Sequence, residues 1–100
     1  MFTVTLMGLP DLSPELVEDV EIRYRDMLVL VLGDDAEVVA ACTAHDEVVA
    51  RYPEESLPLG KTEAEQIAVK RWWEADRAAE MAALVTWPVH PHDAFFEVTV

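Results

Sequence analysis

The stretch Met27–Leu32, MLVLVL, followed by Gly33-Asp34-Asp35, decides the fold of this chain. Six apolar residues in a row carry no period of their own, so the run fits two structures. With Arg25-Asp26 before it and a glycine turn after it, it reads as a short strand buried on both faces. It also fits the last turns of one long helix from Ser13. The strand is the preferred reading, and it would put a β-strand inside a βαβ unit.

The flanking segments are clearer. Phe2–Met7 alternates β-branched and apolar residues with others, which predicts a strand, and Gly8-Leu9-Pro10-Asp11 breaks it. Ser13-Pro14-Glu15 is a helix start: a hydroxyl N-cap, proline at the first helical position and an acid in the first turn. Leu16, Val17, Val20 and Tyr24 then recur at helical spacing. Over Ala36–Tyr52, the residues Val38, Cys42, His45, Val49 and Tyr52 form a narrow helical seam that Asp34 or Asp35 could cap. The rival there is a hairpin of Glu37–Ala44 and Glu47–Tyr52 turning at His45-Asp46, but the alanine content favours the helix. Pro53 ends that element, and Pro53–Gly60 is a loop.

Thr62-Glu63-Ala64-Glu65 is a capping box, in which the first and last residues each satisfy a backbone N–H of the first turn. The helix it opens runs over Thr62–Leu84. Ala64, Ile67, Ala68, Trp72, Ala75, Ala79 and Ala82 form a small-residue stripe suited to close approach against a sheet. Trp87-Pro88 stops the helix, and Ala94–Val100 is a closing strand expected to pair with Phe2–Met7 or lie beside it. The expected architecture is a single α+β domain over residues 1–100. A small sheet holds both terminal strands, and helices cover one of its faces, in a βαβ-α-α-β order or a ferredoxin-like variant.

Charge is the strongest functional signal. Twenty acidic residues stand against seven basic ones, a net charge of −13. Solubility of a small domain asks for a magnitude of only about 2–8. Such a field excludes binding to nucleic acid by phosphate neutralisation and favours a basic protein partner. The acidity is uneven: residues 1–59 hold 13 acids and 3 bases, whereas residues 60–100 hold 7 and 4. Glu15, Glu18 and Asp19 share one helical face, where like charges destabilise by about 0.2–0.5 kcal/mol per pair. With Asp34, Asp35, Glu54 and Glu55 they make the candidate acidic docking face. A solvated surface, or adaptation to high salt, would produce the same composition. Trp73 and Trp87 are candidate aromatic anchors at its rim. For both, the edge of a core is the more ordinary reading.

Chemistry-bearing motifs are sparse. His90, His92 and Asp93 could hold a metal, since residues i and i+2 of an extended segment point the same way, with His45-Asp46-Glu47 as a further source of ligands. The prolines Pro88 and Pro91 also explain this segment as a polar connector. Cys42, with His45 three residues on, is the one thiol–base pairing available, but its alanine neighbours suit a packed small hydrophobe. One cysteine excludes an internal disulfide. No phosphate-cradling glycine pattern is present.

The sequence therefore predicts a cytoplasmic, non-enzymatic interaction protein without a cofactor. Its partner would be a basic protein surface, nucleic-acid-binding proteins included. Direct contact with nucleic acid or membrane is not expected. An inhibitor or immunity protein, of phage or mobile-element type and from a GC-rich genome, fits this profile, with mimicry of DNA's charge as one mode. A metal-binding protein or metal-dependent enzyme and an assembly subunit are the alternatives, and the oligomeric state, a homodimer included, stays open.

Overall fold

Ser13 opens the first helix as its sequence dictates. Its hydroxyl accepts the Leu16 N–H at 3.4 Å, with Pro14 at the first position. The computed structural model describes residues 1–8, 13–55, 59–84 and 95–100. The first helix, α1 (Pro14–Leu32), runs for 19 residues, so MLVLVL is helical and the expected interior strand does not form. The cause is phase. Val20, Tyr24, Leu28 and Leu32 are all buried and lie four apart, so the apolar run continues a stripe begun upstream. Leu30 and Val31, which a doubly buried strand would hide, are 76% and 48% exposed. Gly33, at φ 124°, terminates α1 and donates its N–H to the Val29 carbonyl at 2.8 Å.

Helix α2 (Asp35–Arg51) replaces the hairpin alternative, and the Asp34 carboxylate caps it by accepting the Glu37 N–H at 2.8 Å. Its seam starts as expected at Val38 and Cys42. Further along, Val48 is buried in place of the half-exposed Val49, because α3 packs on the Val48 side.

Helix α3 (Glu63–Leu84) begins with the reciprocal capping box: Glu65 N–H to Thr62 Oγ1 at 3.1 Å, and Thr62 N–H to Glu65 Oε1 at 3.0 Å. The Arg51 guanidinium, the Tyr52 hydroxyl and the Lys61 N–H converge on the same carboxylate. Burial of Glu65 fixes the helix's rotation. Val69, Trp72, Ala75, Ala79 and Ala83 form the buried stripe, and Ile67, two residues from Glu65, is turned outward at 59% exposure. The stripe faces the other helices rather than a sheet, so Ala64 and Ile67 leave the expected core and Val69 enters it.

Strands β1 (Thr3–Met7) and β2 (Phe95–Thr99) pair antiparallel, Thr3 opposite Thr99 and Met7 opposite Phe95. Val4, Leu6, Phe96 and Val98 turn inward onto the helices, and Phe96 stacks on Tyr24 at 4.1 Å between centroids. The result is a small α+β fold: three helices and a two-stranded sheet joining the two ends of the chain. Among the described residues, no helix is long and apolar enough to cross a membrane.

Candidate docking surface

The acidic residues singled out by sequence fall into three places. Glu15 and Glu18 lie on the first turns of α1. Asp34 and Asp35 lie at the α1–α2 junction, roughly 20 Å further along the helix axis. Glu54 and Glu55 lie in the turn after α2, in a depression shared with Arg51, Tyr52, Pro53 and Lys61. The seven do not form one continuous face. Three of them are engaged within the chain: Asp19 pairs with Arg23 at 2.7 Å, Asp34 caps α2, and Asp35 pairs with Arg25 at 3.0 Å. Glu15, Glu18, Glu54 and Glu55 make no ion pair among the described residues.

Among the described residues β1 pairs on one side only, with β2, and a groove lies where α1 passes its other edge. Thr3, Val4, Glu18, Glu21, Ile22 and Arg25 line it. Glu21 reaches the strand and accepts the Leu6 N–H at 2.7 Å. Arg25 donates to the Phe2 carbonyl at 2.7 Å, lies over the Phe2 ring at 4.4 Å and is neutralised by Asp35. Among the described residues Glu18, at the lip, makes no ion pair. An apolar floor under an anionic lip can take a chain that is cationic on one side. Charge counting missed Glu21 because its role depends on the strand that α1 faces.

Trp73 is half-buried on α3, in a shallow depression with Lys70, Glu74 and Arg77. Its neighbours are largely cationic, so this anchor does not border the acidic groove. Trp72 is buried beside His45. Trp87, His90, His92 and Asp93 lie outside the described residues. Among the described residues no group of three or more His, Cys, Asp and Glu is placed to hold a metal ion, so His45, Asp46 and Glu47 do not converge as ligands.

The helices also enclose a polar cluster that sequence reading missed. The buried Tyr24 hydroxyl of α1 donates to Asp76 Oδ1 of α3. Burial pushes the Asp76 carboxyl up, partly opposed by the Tyr24 hydrogen bond. Glu80, one turn on, is also raised by burial and by the neighbouring Asp76. Burial and Asp46 push the Cys42 thiol up to about 12, so at neutral pH it is a packed thiol and not a thiolate nucleophile. The signal was present in the sequence: Asp76 and Glu80 continue the i, i+4 row of Trp72, and so sit on the border of the buried stripe. No family model, curated protein or solved structure matches this chain.

Proposed function

We propose that this chain is a non-catalytic protein-binding module that docks onto a basic protein surface. The observation that carries the reading is the combination of a net charge of −13 with Glu18, unpaired among the described residues, at the lip of a groove beside the edge of β1 that faces away from β2, and with Glu15, likewise unpaired, one turn earlier on α1. Carboxylates held in ion pairs would be spent on the fold, whereas these project a field outward. That field speeds encounter and sets partner choice, and the apolar floor adds contact once the partner is seated. Covering a partner's basic surface would compete with whatever that surface binds, which is how an inhibitor or immunity protein works.

The test is affinity capture from the native host cytoplasm, followed by reconstitution of the complex from purified components. A partner rich in Lys and Arg, whose affinity for the purified chain weakens with salt and with Glu15→Lys plus Glu18→Lys, supports the reading. A partner of acidic surface, or one bound equally well by the charge-reversed chain, overturns it.

A further inference from the structure

We propose that the free edge of β1 is a strand-addition site for an extended segment with basic residues at alternating positions. This rests on the docking reading above and specifies its geometry. In an antiparallel ladder, alternate residues turn their backbone groups toward and away from the partner strand. The Leu6 N–H is taken by Glu21 of α1 and the Phe2 carbonyl by Arg25. Residues of this parity therefore face away from β2. Val4 lies between them, and no backbone or side-chain bond to its outward N–H and C=O occurs among the described residues. An extended chain laid along β1 would pair both groups of Val4, and displacing Glu21 would add the Leu6 N–H.

Charge chooses the occupant. Every other side chain of the added strand would point toward α1, where it meets Glu18, Ile22 and the released Glu21. Same-side residues of a strand repeat at about 6.6–7 Å, and Glu18 and Glu21 are separated by about 4.5 Å along α1, a difference within the reach of long lysine and arginine side chains. Arg25 adds no net repulsion, because Asp35 neutralises it. A Lys/Arg-x-Lys/Arg segment thus satisfies backbone and charge together. A second copy of this chain does not, because β1-to-β1 pairing would set two Glu18/Glu21 lips against each other.

The experiment follows amide exchange of the full chain with labelled octapeptides of alternating lysine and threonine. Controls are a peptide of the same composition with its lysines in one block, and an alternating peptide N-methylated along one edge. We expect the alternating peptide to slow exchange at Val4 and Leu6 by about tenfold or more. N-methylation on the pairing edge should abolish that protection, and Glu18→Lys should weaken binding by about tenfold. Binding of both lysine peptides without protection at Val4 overturns strand addition while leaving the acidic docking reading intact. Absence of peptide binding overturns strand addition as well. Val4 protection in the free chain that grows with its own concentration, together with a dimeric mass, would assign the edge to a second copy.

Discussion

Removing the Tyr24 hydroxyl, as Tyr24→Phe, isolates the least expected feature of this fold. The ring stays in place, with its stack on Phe96, but Asp76 loses its donor. A hydrogen bond to a charged group contributes about 1.5–3 kcal/mol. Tyr24 is fully buried and Asp76 partly so, which places the expected loss at about 2 kcal/mol at neutral pH. In a chain of this length that lowers Tm by roughly 10 °C. The penalty must also depend on pH. The bond holds the Asp76 carboxyl down against burial, so it favours the ionised form and loses value once Asp76 is protonated. Asp76→Asn keeps an acceptor for Tyr24 and removes the desolvated charge, so it should cost within about 1 kcal/mol. Urea denaturation of the three proteins at pH 7.5 and at pH values down to 4 decides the matter. A Tyr24→Phe penalty that does not change with pH, or an Asp76→Asn loss as large as that of Tyr24→Phe, would refute the reasoning.

Acidification should stabilise the wild-type chain before it destabilises it. Asp76 and Glu80 are raised above their ordinary 3.8 and 4.5, so their contribution is fully present below those values and is lost as pH rises through the folded-state ones. Glu65, held down to about 2, works oppositely: its contribution is present above its ordinary 4.5 and is lost as pH falls toward 2. Tm followed from pH 7 downward should pass through a maximum in the mildly acid range, and a steady fall from pH 7 would contradict this. Leu28→Ala should cost about 2–5 kcal/mol, whereas Leu30→Ala should stay within about 0.5 kcal/mol; equal losses in denaturant melts would match a strand face and not α1. Gly60→Ala should lower Tm sharply, because at φ 83° its Cβ would come within 2.4 Å of Glu65 Cβ and crowd the capping box. Raising salt from low to physiological strength should raise Tm by screening the excess carboxylates over a Debye length of about 8 Å, and an unchanged Tm would count against uncompensated repulsion.

Caps were the most legible part of the fold. Ser13 and the Thr62–Glu65 pair announce two helix starts and form the bonds they imply, and of Asp34 and Asp35, both candidates for the third cap, Asp34 fills the role. The terminal strands were legible from alternation, as was the α+β class. The interior strand was misread because MLVLVL offers no period by itself. The information lay upstream, in Val20 and Tyr24, whose row reaches Leu28 and Leu32 only if the helix is never broken. The rotation of α3 was hidden because nothing in the sequence says that Glu65 is buried by residues from the end of α2. The same limit governs the docking surface. Glu15 and Glu18 could be named from charge, but the strand edge that Glu18 overlooks, and the parts of Glu21 and Arg25 in guarding it, depend on which element α1 faces. Asp19, Asp34 and Asp35 looked equivalent to Glu18 in the sequence and are committed to Arg23, the α2 cap and Arg25.

The most direct test is the salt dependence of Kd for the purified complex with the captured partner, measured for the wild type and for the chain carrying Glu15→Lys and Glu18→Lys. Docking driven by the anionic lip predicts an affinity that falls steadily as salt rises, and a charge-reversed chain that binds weakly at low salt with a much flatter slope. An affinity indifferent to both salt and charge reversal would mean that these carboxylates only keep the molecule dissolved.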